Sequence, residues 1–439
     1  MPGPERPSPA LIDKCVHCGF CLPTCPTYLL WGEEMDSPRG RIYLMKAELD
    51  GRVGMGPSFV EHFDRCLGCL ACVTACPSGV QYGPLIEKER AQIEHRHTRG
   101  PGDRLFRTLL MAILPYPGRM RLAMLPLLIV GPLLRALTRT GSEAPATRPE
   151  GTGGSIGRRI AAAVRLAPRV TWSGLVDRLA ERTPAVGSER RTVALLAGCV
   201  QRLTFAKVNH ATVRVLAAEG CTVHVPADQG CCGALPLHAG HIEQARALAR
   251  HNIEVFERTG VDRIAVNAAG CGSAMKEYGE LLADDPAWAD RAKAIAEKVR
   301  DVTELLAELG EQRAVRRPLA ARVVYHDACH LAHGQGVRTQ PRALLQGIPG
   351  LELLTPAESE ICCGSAGIYN LVQPDPAAQL GARKVRHIAA LSPDMIATAN
   401  PGCTLQIAAA ARGLGHDWPI FHPIELIDAS IHGVDPRTS

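Results

Sequence analysis

The stretch Cys15-Val-His-Cys18-Gly-Phe-Cys21-Leu-Pro-Thr-Cys25-Pro26 returns after a gap of forty residues as Cys66-Leu-Gly-Cys69-Leu-Ala-Cys72-Val-Thr-Ala-Cys76-Pro77. Three thiolates at every third position of a tight loop can converge on one small centre, while the fourth cysteine of each run lies further along the chain. The proline after it then ends the loop locally. Seventeen cysteines in 439 residues, with no apolar secretory core in the Pro-rich Met1 to Ala10, point to metal or redox work in the cytoplasm rather than to disulfides.

Each half is the C-x2-C-x2-C-x3-C-P run by which bacterial-type ferredoxins hold two four-iron clusters, the fourth cysteine crossing to the other cluster. On that rule Cys15, Cys18, Cys21 and Cys76 hold one cluster, and Cys66, Cys69, Cys72 and Cys25 hold the second. Structural zinc is the competing reading. It prefers four thiolates in two separated pairs, which fits two identical proline-closed quartets poorly.

Composition narrows the rest. A hydrophobic fraction of 46% and a charged fraction of 21% are ordinary for a soluble chain of two or three domains. Aromatics make up only 4% and no basic helix-turn-helix pattern occurs, which argues against a nucleic-acid partner. The net charge of +5 is uneven: Arg96 to Val170 holds thirteen Arg, no Lys and three acids, a local +10. The same region carries the apolar run Leu109 to Leu134, which Pro115, Pro117, Pro126, Pro132, Arg119 and Arg121 break below spanning length. It reads either as a helical connector packed on the protein or as a basic, apolar surface for an anionic membrane or a partner subunit.

Between the quartets, Asp36-Ser37-Pro38-Arg39-Gly40-Arg41 reads as a capped turn ahead of a helix over Ile42 to Leu49. Arg39 and Arg41 either begin that helix or offset thiolate charge near a cluster. A second helix is expected over Leu85 to His97. Residues 140–190, with Gly151-Thr-Gly-Gly154, read as a linker, and no G-x-G-x-x-G dinucleotide signature follows a strand.

The second half is an internal repeat. Cys199, Cys231-Cys232-Gly233 and Cys271 recur as Cys329, Cys362-Cys363-Gly364 and Cys403, at offsets of 130, 131 and 132 residues. Strands are expected over Val193 to Leu196, Thr222 to Val225 and Ile264 to Val266, with helices near Phe205 to Ala218 and His241 to Glu257. In the second unit strands are expected over Val323 to His326, Leu351 to Leu354 and Met395 to Ala399. Its helices fall near Pro341 to Gln346 and Ala377 to Ala390. Strands alternating with helices imply parallel sheets, whose carboxyl-end loops collect ligands. Each quartet either holds a further cluster or packs without metal. The odd cysteine, Cys221, reads as a small buried hydrophobe.

The fold expected is therefore a mostly α-helical N-terminal part with a bacterial-type 2[4Fe-4S] ferredoxin module, followed by two pseudo-symmetric α/β Cys-Cys-Gly lobes. The boundaries fall at residues 1–98 for the ferredoxin module, 99–190 for the connector, and 191–310 and 311–439 for the two repeats.

The residues Cys15-Val-His-Cys-Gly-Phe-Cys21, Asp36-Ser-Pro-Arg-Gly-Arg-Ile42 and Cys66-Leu-Gly-Cys69, with the paired Cys-Cys-Gly motifs, resemble the iron-sulfur subunits of bacterial glycolate oxidase over nearly the whole chain. The resemblance implies an electron-transfer subunit. An FAD-bearing partner would oxidise glycolate to glyoxylate, and the electrons would pass towards a quinone-type acceptor at the inner face of the cell membrane. No residue of this chain would be catalytic, and FAD would sit on the partner. The repeats also resemble subunits of lactate-utilisation, anaerobic glycerol-3-phosphate dehydrogenase and heterodisulfide reductase systems, so an equivalent subunit for another substrate, or a thiol-disulfide reductase, stands as the alternative. In the reductase type the last cysteine of each repeat begins a Cys-x-x-Cys. Here those positions are Ala274 and Gln406, leaving four thiolates per repeat and putting disulfide cleavage in doubt.

His326-Asp327-Ala-Cys329-His330 gathers two imidazoles and a carboxylate beside a candidate ligand. They read either as a strand-end hydrogen-bond network or as donors and proton carriers beside a reducible site. Asp228 and Asn400 stand where they could hydrogen-bond sulfur.

Overall fold

The computed structural model describes residues 5–131, 156–168 and 170–438. In the N-terminal part, prolines open the helices Pro26–Trp31, Pro38–Leu49 and Pro57–Asp64, where a missing N–H costs nothing. The capped turn before the second of these is present: the Ser37 hydroxyl accepts from Gly40 N–H at 3.0 Å. The helix starts at Pro38, ahead of the expected Ile42, because the cap sits directly before the proline. Gly40 is required there, since a β-carbon would run into the Glu34 carbonyl. The helix Tyr82–Arg96 closes the module over an apolar core of Ile42, Met45, Phe59, Val60, Phe63, Leu85, Ile86 and Ile93, with Cys66 at its edge.

At the polar centre of this module sits Asp36, fully buried. Its carboxylate meets His62 Nδ1 at 2.9 Å, Arg65 Nη1 at 3.3 Å and Arg41 Nη2 at 3.6 Å, tying two helices to the turn that precedes them. Burial alone would push the Asp36 carboxyl up, but His62, Arg41 and Arg65 outweigh it and hold it below the usual carboxylate range.

The connector packs by one face only. On the helices Pro101–Ile113 and Pro117–Met124, Met111 meets Ile368 and Val372, while Met120 and Met124 meet Leu175 and Leu203. Leu105, Leu109, Leu122 and Ile129 stay exposed. Part of the local positive charge is spent internally, since Arg99, Arg107 and Arg159 pair with Asp64 and Asp103. No helix among the described residues is long and apolar enough to cross a membrane. The end of the apolar run at Leu134 and the glycines at 151–154 lie outside the described residues.

Among the described residues nine strands build two sheets: β1 (Arg182–Thr183), β2 (Arg191–Leu196), β3 (Cys221–His224), β4 (Arg263–Val266), β5 (Val299–Asp301), β6 (Ala321–His326), β7 (Leu351–Leu354), β8 (Met395–Thr398) and β9 (Ile420–Phe421). The first has the order β1-β3-β2-β4-β5 and the second β7-β6-β8-β9; only the β1 to β3 pairing is antiparallel. Every expected strand and helix of the repeat is present within a few residues. Three edge strands were not anticipated. β1, β5 and β9 have two or three residues each and carry no cysteine, so neither periodicity nor the repeat marks them.

The lobes share their main core. Val193 and Leu195 of β2 point into the same apolar cluster as Val323 and Tyr325 of β6, while Ala194 and Val324 face the outer layers, as the two-residue strand period requires. The helix after β5, Val302–Glu308, packs on the second lobe's Thr339–Gln346. The helix after β9, Pro423–His432, packs on the first lobe's Ala206–Ala218. Each lobe thus lends its last helix to the other. Cys221 lies inside this shared core, where burial pushes its thiol up to about 11.

Because the folded pKa of Asp36 is depressed, its contribution is complete above the unfolded carboxylate value of about 3.9 and drains away as pH falls through the folded one. The N-terminal module is therefore expected to loosen selectively on acidification below about pH 4. Asp36→Asn should cost about 3 kcal/mol at neutral pH, by taking a carboxylate from the buried Arg41 and leaving Arg65 to Glu61, and flatten that acid transition. Hydrogen exchange of the helix Pro38–Leu49 against pH measures both.

Candidate iron-sulfur sites

The two N-terminal runs fold as loops that bring their thiols together across the gap. Gly19 and Gly68, at φ +90° and +64°, and His17 and Leu70, at +54° and +63°, turn the chain so that the cysteines face inward. The Cys15 thiol is pushed up by burial and by its neighbours Cys76 and Cys18. The Cys21 thiol is pushed up by burial and by Cys15 and Cys25. In the other group, burial and then Cys69, Cys66 and Cys25 push up Cys72. Cys76 is thus a neighbour of Cys15, and Cys25 neighbours Cys69 and Cys72 of the other run as well as Cys21 of its own.

Charge compensation is built into the walls. Burial would raise the Cys66 thiol, yet Arg41 and Arg90, with the Gly68 N–H at 3.4 Å and the Tyr82 hydroxyl at 3.7 Å, hold it below the ordinary thiol range. Arg41 is itself buried and donates to the His62 carbonyl at 2.6 Å. Arg39 arches over the first loop, donating to the His17 carbonyl at 2.8 Å and to Glu34 at 2.6 Å. The two arginines thus do more than begin a helix. The groups differ in exposure: Cys18 is exposed, with Val16 68% and Phe20 66% exposed beside it, whereas Cys25, Cys66 and Cys69 are buried.

In the repeats, the cysteines lie where the carboxyl ends of three adjacent parallel strands meet. Cys199 Sγ donates to Cys231 Sγ at 3.5 Å, and Cys231, Cys232 and Cys271 continue the row. Cys329, Cys362, Cys363 and Cys403 form the matching row in the second lobe. The shared contacts push the Cys199 and Cys329 thiols well above the ordinary range, with burial adding to the effect. The glycine of each Cys-Cys-Gly follows from geometry. Gly233 and Gly364 have φ +86° and +93°, and a β-carbon at Gly364 would lie 2.7 Å from the Ala377 carbonyl oxygen. These rows suit an iron-sulfur centre: four soft donors, buried, at one strand-end crevice.

The second lobe touches the N-terminal module at its buried thiols. Cys69 has Cys329 as an electrostatic neighbour, and Cys362 has Cys69. Leu67, Cys69, Cys362, Tyr369 and Leu380 share one apolar cluster. His330 Nε2 lies 3.0 Å from the Gly68 carbonyl oxygen, and His333 Nδ1 lies 2.6 Å from Thr74 Oγ1. The histidine cluster thus splits in use. His330 and His333 join modules, Asp327 is clamped by Arg342 at 2.5 and 2.7 Å, and His326 finds no hydrogen-bond partner.

Asn400 Nδ2 reaches Cys403 Sγ at 3.5 Å, as expected of it. Asp228 does not reach sulfur. It is exposed and pairs with Arg258, and the loop is instead held by Asn252, which accepts from Gly230 N–H at 2.9 Å and donates to the Cys231 carbonyl at 2.7 Å. Arg90 and Lys384, two charged groups beside the thiols, were missed because they lie on helices far from the cysteines in sequence. Lys384 is 2% exposed, and Cys363 and Cys362 are among its electrostatic neighbours. The Gln406 amide fills the position of an absent fifth cysteine, donating to the Ala377 carbonyl at 2.8 Å.

Comparisons with known proteins agree with this division. A "4Fe-4S dicluster domain" matches residues 11–80, and a "Cysteine-rich domain" matches residues 193–276 and again 323–408. "Lactate utilization protein A" of Exiguobacterium sp. is 30% identical over 54% of this chain and 98% of its own. "Glycolate oxidase iron-sulfur subunit" of Escherichia coli (strain K12) is 35% identical over 96% of this chain and 95% of its own. "Probable glycolate oxidase iron-sulfur subunit" of Bacillus subtilis (strain 168) is 35% identical over 99% of this chain and 97% of its own. With such a likeness running almost end to end, on top of the paired cysteine runs and the repeated thiol rows, this chain belongs to the glycolate oxidase iron-sulfur subunit family.

Proposed function

We propose that this chain is the electron-transfer subunit of a glycolate-oxidising complex, fed by an FAD-bearing partner that converts glycolate to glyoxylate. Cys15, Cys18, Cys21 and Cys76 hold one [4Fe-4S] cluster, Cys66, Cys69, Cys72 and Cys25 hold a second, and the thiol rows of the repeats hold further centres. The observation that supports the reading is the approach of the two runs, with Cys76 beside Cys15 and Cys25 beside both Cys72 and Cys21. Two identical quartets, each closed by proline, suit two four-iron clusters better than structural zinc, which prefers two separated pairs.

Bound four-iron clusters supply one-electron acceptor and donor chemistry, and the protein supplies ligation, charge and exclusion of water. Arg41 and Arg90 favour the anionic form of Cys66, the form in which a thiol binds iron. The exposed Cys18 loop, with Val16 and Phe20 beside it, is the face offered to the flavoprotein. The contact of Cys69 with Cys329 and Cys362 keeps the buried group against the second lobe, so electrons received at the surface move inward. The exposed leucines of the connector support a peripheral contact with the inner face of the cell membrane, where a quinone-type acceptor would be met. The domain limits at residues 98, 190 and 310 are part of the same proposal.

Two outcomes are expected. In the anaerobically isolated complex, glycolate should bleach the iron-sulfur absorbance only when the flavoprotein is present. Bleaching by lactate or glycerol 3-phosphate instead would reassign the substrate, and bleaching by a thiol-disulfide couple with this chain alone would overturn the reading. Separately, Cys25→Ser should deplete the cluster of Cys66, Cys69 and Cys72, and Cys76→Ser that of Cys15, Cys18 and Cys21. Each should lose about four irons, with the lost cluster identified by its EPR signal. Loss of the run-mate cluster in either variant would disprove the crossing.

A further inference from the structure

The two lobes share one plan, and they differ at the strand ends that face the thiol rows. In the first sheet Leu196 stands opposite Val266 in register; in the second the matching places hold His326 and Thr398. An apolar pair in one lobe is therefore a polar pair in the other. His326 and Thr398 are each 1% exposed, and neither ring nitrogen of His326 nor the Thr398 hydroxyl has a hydrogen-bond partner among the described residues. Buried polar groups are normally satisfied, so orphans at a strand end ask what completes them. A ring nitrogen of His326 and the sulfurs of Cys363 and Cys403 all lie within 4.8 Å of one another.

A second asymmetry points the same way. The helices Ile242–Glu257 and Pro374–Ala389 occupy equivalent places, and where the first carries Asn252 the second carries Lys384. The Lys384 amine donates to the carbonyls of Glu358 and Ser359, which fixes its positive charge near Cys362 and Cys363.

We infer that His326 supplies a nitrogen ligand to an iron-sulfur centre of the second lobe, beside Cys329, Cys362, Cys363 and Cys403, whereas the first lobe's site is sulfur only. The inference rests on the reading that the second-lobe cysteines hold a cluster. One ring nitrogen would give its lone pair to the centre while the other keeps its proton, so the neutral imidazole would be the ligating form. No group is oxidised or reduced in forming that bond. A neutral imidazole in place of one thiolate, with a fixed ammonium beside it, would raise the reduction potential over that of a sulfur-only site. Cys69 neighbours Cys329 and Cys362, so a second-lobe centre of higher potential would be placed to accept an electron from a centre held by Cys69.

The test uses the full chain, purified anaerobically from cells given nitrogen-15-labelled histidine and reduced for pulsed EPR. A strong nitrogen-14 coupling in unlabelled protein should become a nitrogen-15 coupling on labelling. It should vanish in His326→Leu, which installs the first lobe's residue, and survive in Cys271→Ser. The midpoint potential of that signal should shift downward in the variant, or the signal should be lost. Should His326→Leu fail to fold, His326→Asn keeps a polar group of similar reach and should also lose the coupling. Spectra that labelling leaves unchanged, or a coupling that persists in either His326 variant, overturn the inference alone. An iron count that Cys363→Ser does not lower, with the N-terminal clusters intact, overturns the second-lobe reading beneath it.

Discussion

Eight thiols lie on two loops forty residues apart in sequence, and the fold crosses the runs by bringing Cys76 beside Cys15 and Cys25 beside Cys69 and Cys72. That crossing constrains the N-terminal module. The intervening residues bring the two loops together through a buried turn at Asp36 and three proline-started helices rather than an open loop. The same crossing leaves one group near the surface at Cys18 and drives the other inward against the second lobe. Direction is thereby built into the chain, with an outer group that a partner can reach and an inner group that it cannot.

Burying sulfur that must become anionic is electrostatically costly, and the fold meets this with fixed cations rather than with water. Arg41 and Arg90 flank Cys66, and Lys384 lies near Cys362 and Cys363. Each of these cations has a second task that locks it in place: Arg41 is tied to the His62 carbonyl, Arg90 to the His238 carbonyl, and Lys384 to the Ser359 carbonyl. The charges near the thiols are therefore also joints between elements, so charge compensation and assembly of the modules depend on the same residues.

Much of this was legible in the sequence because cysteine spacing is a direct record of geometry. The paired runs name both groups, and offsets of 130 to 132 residues reveal a repeat whose strands then fall into place around the cysteines. What stayed hidden has physical causes. The edge strands β5 and β9 are too short to show a period. The exchange of the helices Val302–Glu308 and Pro423–His432 between lobes depends on which apolar face meets which, and both have ordinary amphipathic patterns. Asp228 was expected at sulfur because it precedes Cys231, but proximity in sequence did not become proximity in space, and Arg258 claims it. His326 was visible beside Cys329, yet its isolation from every hydrogen-bond partner belongs to the packed structure alone.

The central claim is that the N-terminal thiolates hold two interlocked iron-sulfur clusters. Counting iron and acid-labile sulfide in the full chain, purified without oxygen, tests it most directly. About eight irons and eight sulfides per chain are expected from the N-terminal module, with any centre in the repeats adding to that sum. A colourless, iron-free chain that is fully folded and still carries electrons in its complex would contradict it.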